Sequence, residues 1–269
     1  MANWKIGDGE DYDSIVGYEF SPDEHPSNEQ RTFVVKQKQE DYDLKESNIV
    51  LDKGIQSSEI TFDGRLRNDT DFYNLQQAVM RGRIIITAGD EETDLYYEKK
   101  FYPGDDYFYY VKRGQCQRLR EGNRPLLRNY TVRLQLTDPF RYKNTTTDRT
   151  ASGSGGTTSA MDFTGNYYQL PELEFETTSG TVTRIDIESN AGGSISASIP
   201  GGLATGERVV IDQRLEILFI YDSSGNLKSS RSGFSGRIAI PQGSEGVTFT
   251  FEATGGSGTF TARHRERNW

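Results

Sequence analysis

Apolar and polar positions alternate cleanly in several stretches of this chain. Over Asn129–Leu136, Val132, Leu134 and Leu136 fall on one side and Thr131, Arg133 and Gln135 on the other. That is the period of a strand with one face buried, and Asp138-Pro139 is placed to stop it. Arg31–Val35, Ser58–Phe62 and Ile84–Thr87 also have strand character. Between the last two the period lengthens. Phe72, Leu75 and Val79 stand at i, i+3 and i+7, which predicts a helix over about Thr70–Arg81. Asp69 or Thr70 is placed to cap it, Asp71 lies in the first turn where the helix dipole favours an acid, and Gly82 is placed to end it. A helix closely flanked by strands should cover a sheet. Tyr107–Val111 and Gln115–Leu119 bracket Lys112-Arg113-Gly114 and read as a hairpin.

The rest of the chain reads as strands alone. Glu172–Thr177 sets Leu173 and Phe175 against three outward glutamates, and Thr181–Glu188 places Thr183, Ile185 and Ile187 on one face. Ser194–Ile199, Arg208–Ile211, Leu215–Tyr221, Arg237–Ile240, Val247–Glu252 and Gly258–His264 follow, with turn-forming residues between them. Short strands at this spacing predict a β-sandwich. Asn144–Ser159 is a Thr, Ser and Gly run with no large apolar residue, so it reads as a flexible linker or exposed loop. The expected division is therefore a β-rich domain with one packed helix over 1–143, a linker over 144–159 and a sandwich over 160–269. The fold class is mainly β.

Composition narrows the function classes. No apolar run approaches the roughly 18 residues of a membrane-spanning helix, and the opening residues lack the apolar core of a secretion signal. One cysteine, Cys116, excludes an intrachain disulfide framework and a multi-cysteine zinc site. Imidazole comes only from His25 and His264.

The net charge of −9 is unevenly spread: residues 1–50 hold 12 acids and 5 bases, whereas residues 101–150 hold 5 acids and 10 bases. Segregation of this kind steers head-to-tail contact between identical subunits; the alternative is two solvated faces without a partner. A net-acidic chain is a poor wrapper of DNA, whose phosphates need a concentrated basic surface.

Candidate chemistry is sparse. No nucleophile elbow, phosphate loop or paired-histidine zinc motif is present. Gly192-Gly193, Gly201-Gly202 and Gly255-Gly256 lie between predicted strands and read as hairpin turns. The run Asp8-Gly9-Glu10-Asp11-Tyr12-Asp13 has the oxygen density of a calcium loop without the spacing of an EF-hand, and reads as a solvated segment. Asp90-Glu91-Glu92 reads as an exposed turn. The aromatic runs around Tyr96-Tyr97, Phe101-Tyr102 and Tyr107–Tyr110 are assigned to core and subunit contact ahead of ligand stacking. Cys116 reads as a small buried hydrophobe, His264 as an exposed or interface residue, and Asn144 as the most exposed of three glycosylation sequons. No cofactor, metal or catalytic residue is assigned, and the chain is read as non-enzymatic.

Four stretches, in order, resemble the distal tail proteins of long-tailed, non-contractile phages and related archaeal viruses. They are Ile60-Thr61-Phe62-Asp63-Gly64-Arg65-Leu66 with the helix Phe72–Met80 and strand Arg83–Thr87; Tyr130–Leu136 running into Asp138-Pro139-Phe140-Arg141-Tyr142; Gly206-Glu207-Arg208-Val209-Val210-Ile211-Asp212; and Ile240-Pro241-Gln242-Gly243 through Gly256–Arg265 to the closing Trp269.

The resemblance implies a structural protein at the tail tip of a virion, assembled in the host cytoplasm. Its first domain would form a ring, hexameric in the family, between the tail tube protein and the tail hub. Its galectin-like second domain would decorate the outside, with a last strand that sometimes returns to the first domain. On this reading Arg113, Arg118, Arg120, Arg124, Arg128 and Arg133 face the tube or a neighbouring subunit's Asp8, Glu10, Asp11 and Asp13, or its Asp90 to Glu92. The alternative is a carbohydrate-binding module for host-surface glycans, with Tyr167, Tyr168 and Tyr221 as contacts. Neither reading involves sequence-specific nucleic acid or membrane insertion.

Overall fold

The computed structural model describes residues 3–9, 12–20, 32–37, 55–66, 68–80, 82–88, 91–121, 124–138, 140–231 and 233–268; for 32–37, 55–58, 82–88, 91–97, 119–121, 124–128 and 231 only the backbone is described. The described residues are mainly β, and one helix stands among them. It divides into two compact units: residues 1–84 with 96–144, and residues 145–269 with 85–95.

In the first unit the elements are β1 (Lys5–Asp8), β2 (Val16–Glu19), β3 (Thr32–Gln37), β4 (Ile55–Arg65), α1 (Asp69–Val79), β7 (Lys99–Tyr102), β8 (Tyr107–Glu121), β9 (Arg124–Leu136) and β10 (Arg141–Lys143), while β5 (Gly82–Ala88) and β6 (Glu91–Tyr97) straddle the division. An antiparallel sheet runs in the order β2-β1-β7-β8-β9-β4-β3, with β10 also on β8, while β5 and β6 form a separate pair.

The predicted helix forms with the predicted stripe inward: Phe72, Leu75 and Val79 are buried, joined by Ala78. Its cap lies one residue earlier than expected. Asn68 is the N-cap, and its side-chain oxygen accepts from the Asp71 amide at 2.9 Å. The stripe seals one face of the sheet over Trp4, Phe62, Phe101, Val132 and Leu134. Trp4 meets Phe62 and Phe101 edge-on, with ring centroids 5.4 and 5.5 Å away.

The expected hairpin at Lys112-Arg113-Gly114 does not form. β8 runs straight through it as one long strand, with a register irregularity between Val111 and Arg113, and pairs with β9 as far as Glu121↔Arg124. Gly114 serves close packing instead. A Cβ there would stand 2.7 Å from the Val79 carbonyl oxygen and 2.8 Å from Leu134 Cδ2, so the last turn of α1 sits directly on this glycine. At the exit of β9, the Asp138 carboxylate accepts from the Phe140 amide (3.1 Å) and the Tyr142 hydroxyl (2.6 Å), which fixes the turn into β10.

In the second unit the strands are β11 (Thr147–Gly153), β12 (Gly155–Thr157), β13 (Glu172–Ser189), β14 (Ser194–Leu203), β15 (Arg208–Asp212), β16 (Ile217–Tyr221), β17 (Leu227–Arg231), β18 (Phe234–Arg237), β19 (Phe249–His264) and β20 (Arg267–Asn268). Within 144–159, expected as a flexible linker or exposed loop, β11 and β12 both pair with β19. Edge strands satisfied by backbone pairing need few apolar side chains, and of this stretch Ala151 packs on the core.

Two pairs of predicted strands are each one strand, β13 and β19, which pair from Glu172↔Arg263 to Ser189↔Phe249. Near one end β13 also pairs with β15, and near the other with β14. The register slips between Gly180 and Arg184, where the ribbon turns a corner. Gly255 stands at that corner with φ +93°, and a Cβ on it would collide with the Thr181 carbonyl. Of the three glycine pairs, Gly192-Gly193 occupies a hairpin turn, whereas Gly201-Gly202 and Gly255-Gly256 lie within strands. Folding the ribbon brings its halves face to face: Phe251 from one half lies 5.8 Å from Phe175 and 5.3 Å from Phe260 of the other. The shared core makes this unit a sandwich.

Gly114→Ala is expected to destabilise the first unit by about 1–3 kcal/mol, because backbone on one side and packed side chains on the other must give way. A lower urea midpoint with an unchanged slope would bear this out; an unchanged midpoint would refute the seating of α1 on Gly114.

Candidate assembly surface

With α1 on one face of the first sheet, alternation dictates what the other face shows. Glu59, Thr61 and Asp63 of β4 stand opposite Gln135, Arg133 and Thr131 of β9, which in turn face Arg113, Gln115 and Gln117 of β8. This face is polar throughout these nine positions. The Arg113 Nε donates to Gln135 Oε1 at 2.6 Å, and the Thr131 hydroxyl donates to Asp63. Arg133 is exposed and makes no hydrogen bond or ion pair among the described residues.

The expected arginine set is therefore split. Arg113 and Arg133 share the polar face, but Arg118 lies on the helix side. Its guanidinium covers the Phe72 ring at 4.6 Å and pairs with Asp69 at 2.8 Å. That side chain braces the helix and has its partner within the chain. The side chains of Arg120, Arg124 and Arg128 lie outside the described residues.

The acidic segment is partly pinned. Tyr12 donates its hydroxyl to the Asn3 carbonyl, and its amide donates to Asn144 Oδ1 at 3.1 Å. Lys5 Nζ lies 4.1 Å over the Tyr12 ring and 3.9 Å from Glu19. Burial pushes the Tyr12 phenol up, with the Glu19 and Asp105 charges adding to it. Asn144 is half-buried with its side-chain oxygen engaged, which departs from the exposed sequon expected. Asp13 is exposed in the turn before β2, whereas Asp8 is half-buried at the end of β1. Glu10, Asp11, Asp90 and His25 lie outside the described residues, as do the side chains of Glu91, Glu92, Tyr96 and Tyr97. Among the described residues no group of three or more His, Cys, Asp or Glu is placed to hold a metal ion.

On the helix side, features that the sequence reading missed gather at the end of α1. Asp8 pairs in register with Val16 on β2, and Gly7 with Lys100 on β7, so Lys99 lies beside Asp8. Lys99 Nζ donates to the Gln77 carbonyl at 3.3 Å; burial lowers its pKa, and the Asp8 charge opposes that. Tyr73, Gln77 and Met80 share the outer side of the helix. Tyr73 is 60% exposed, Met80 51% and Val16 75%. The available signal was Tyr73 and Met80 recurring at i and i+7, off the buried stripe.

In the second unit the glycan candidates differ among themselves. Tyr168 is 56% exposed, with Tyr167 edge-on at 6.0 Å. Tyr167 carries the Arg267 guanidinium over its ring at 5.3 Å, and Tyr221 carries that of Arg208 at 4.6 Å. Tyr221 lies on β16, away from the 167–168 pair in sequence.

His264, expected as an exposed or interface residue, is buried at 5% against Phe163, because β19 turns Phe260, Ala262 and His264 inward together. Two buried glutamines were also missed. Gln213 donates to the Pro171 carbonyl and accepts from the Ile238 amide, while Gln169 donates to the Arg267 carbonyl and accepts from its amide.

Cys116 is buried, and desolvation pushes its thiol up to about 12, with Arg118 pulling the other way.

The sequence matches no family model and no curated protein. Among solved structures, the chain is similar over 98% of its length to 98% of the SPP1 Dit protein (gp 19.1), described as a paradigm of the hub adsorption apparatus in phages infecting Gram-positive hosts; the TM-score is 0.45 and the identity 13%. It is also similar over 97% of both chains to a chain of the phage P2 baseplate in its activated conformation with Ca, with TM-score 0.39 and identity 8%.

Two measurements check these placements. Because the folded Cys116 holds its proton to higher pH than the unfolded thiol, its contribution to stability is complete below pH 9 and declines between about 9 and 12. Cys116→Ala should flatten that decline by up to about 1.4 kcal/mol per pH unit; identical alkaline profiles would refute it. Arg118→Glu should lower stability by about 1–2 kcal/mol by placing an acid beside Asp69 and uncovering Phe72. Unchanged unfolding would mean that Arg118 is free for an external partner.

Proposed function

We propose that this protein is a structural component of a tailed-virus particle, of the distal tail protein type. Its first unit assembles head-to-tail into a ring at the tail tip, between the tail tube and the hub, and its second unit is a galectin-like appendage on the outside. The role is one of scaffolding rather than catalysis, and the site of action is the virion tail tip.

The observation that supports this reading most is the placement of the four resembling stretches. In order, they fall on β4 with α1 and β5; on β9 with the Asp138 clasp; on β15; and on the approach to β19 with β19 itself. These are framework elements, so the resemblance concerns how the chain is built and not a transferable local motif. The opposed characters of the two sheet faces support the head-to-tail part, because a cyclic assembly needs two different surfaces that fit each other.

A second reading, glycan binding by the sandwich unit, draws on the exposure of Tyr168 beside Tyr167, since exposed aromatic rings suit sugar faces. It is compatible with the ring and would be an added property of the appendage.

Negative-stain electron microscopy of the purified protein tests the main reading. Class averages are expected to show rings with an open centre. A field of compact particles without a central opening, at every concentration up to about ten times that at which rings are sought, would contradict it. Binding on a glycan array that Tyr168→Ala abolishes would establish the second reading; no binding to any glycan would remove it.

A further inference from the structure

One strand of the second unit breaks a rule that its neighbours keep. In an antiparallel sandwich the inward positions are apolar and the outward ones polar, and β13 and β19 comply, with Glu, Thr and Arg outward. β16 does not. Its run Ile217-Leu218-Phe219-Ile220-Tyr221 is apolar at every position. Leu218 and Ile220 belong to the core, whereas Ile217, Phe219 and Tyr221 alternate with them on the outer face, half-buried and outside the core cluster. A contiguous apolar strip on an outer face, bordered by polar groups, marks a contact surface.

The register shows what borders it. Phe219 stands opposite Val210, Val210 opposite Glu174, and Glu174 opposite Thr261. Tyr221 stands opposite Arg208, Arg208 opposite Glu176, and Glu176 opposite Thr259. The outer face therefore passes from aromatic rings on β16 to charges on β15 and β13, and then to hydroxyls on β19. The charges are held in place. The Arg208 guanidinium lies 4.6 Å from the Tyr221 ring centroid and 3.5 Å from Glu174, and one row along Arg263 spans Asp148 at 3.2 Å and Glu172 at 2.8 Å. These groups remain open to solvent: the side chains of Arg208 and Glu174 are 33% and 18% exposed, and Glu176 is exposed.

Charge selects the ligand. Across these rows Glu172, Glu174, Glu176 and Asp148 outnumber Arg208 and Arg263, so a polyanion is repelled. A cationic peptide would have to displace arginines that already answer three of these four carboxylates. A neutral polyhydroxyl ligand does neither, because its O–H groups donate to carboxylate oxygens that keep their ion pairs. Sugar rings also have apolar faces, which flat aromatic side chains cover. Groups fixed before binding lose little freedom when the ligand arrives.

We infer that the outer face of β15 and β16 binds a neutral glycan, its rings against Phe219 and Tyr221 and its hydroxyls donating to Glu174 and Glu176 and accepting from Arg208. The inference rests on the second reading above, glycan binding by the sandwich unit, and assigns it to β15 and β16 in place of Tyr168.

A glycan array carrying neutral and sulfated oligosaccharides, followed by isothermal titration of the full chain with the neutral hexose oligomer bound best, tests it. Wild type is expected to bind neutral members and no sulfated one. Phe219→Ala and Tyr221→Ala should each weaken that binding by roughly tenfold, and Glu174→Gln by roughly threefold, while Tyr168→Ala leaves it unchanged. Circular dichroism and urea unfolding establish that each variant is folded; if Phe219→Ala is not, Tyr221→Ala and Glu174→Gln decide. Binding that Tyr168→Ala removes and the β16 variants leave intact would overturn this site while the second reading stands. A preference for sulfated glycans, or an arginine-rich peptide that binds where no neutral glycan does, would overturn the choice of ligand. A wild type that binds no glycan at all would remove the second reading and this site with it.

Discussion

The first unit depends on α1 lying flat on β8, and that depends on there being no side chain at Gly114. With the last turn of the helix against the strand backbone, Phe72, Leu75, Ala78 and Val79 reach the sheet and seal one face of it. Burying four apolar side chains to about 1.5–3 kcal/mol each for the larger ones would be forfeited in part by a helix standing further off. Arg118 tightens the arrangement from the side, with its plane on Phe72 and its charge on Asp69. The same placement has two consequences at the surface. It leaves the opposite face polar, with Arg133 exposed, and it brings the end of α1 up to the half-buried Lys99, whose Nζ donates to the Gln77 carbonyl.

The second unit solves a different problem with the same means. Two long strands pair along most of their length and fold over at one corner, so a single ribbon contributes to both layers of the sandwich. The corner requires backbone conformations and close approaches that a side chain would obstruct, which explains the glycine at 255. Once folded, Phe175, Phe251 and Phe260 meet across the interior. The buried glutamines 169 and 213 then satisfy backbone groups where irregular segments cross the core, as buried polar groups must.

Wherever one face is buried and the other wet, the fold was legible in the sequence. The stripe of α1, the alternation of β9 and that of β15 and β16 all follow from period alone. The misreadings have a common cause: residue types that suit turns were serving other purposes. Lys112-Arg113-Gly114 has the chemistry of a hairpin, yet Gly114 marks contact with a helix 35 residues earlier in the chain, and no local pattern announces that. Residues 147–157 have the composition of a linker because their strands lie beside β19 with most side chains outward, as at Ser152 facing Thr259 and Thr157 facing Thr250. The burial of His264 was legible too, since Phe260, Ala262 and His264 continue one inward alternation. For the site, segregation of charge was visible, but sequence proximity is a poor guide to faces on a strand. Arg113 and Arg133 lie together, while Arg118, five residues from Arg113, belongs to the helix side.

The central claim is that two unlike faces of one sheet join copies of this chain into a closed assembly. Native mass spectrometry tests it most directly, because closure and open-ended association leave different masses. The account predicts one dominant species at a single integer multiple of the 30.3 kDa chain. A ladder of increasing masses, or the monomer at every concentration, would contradict it.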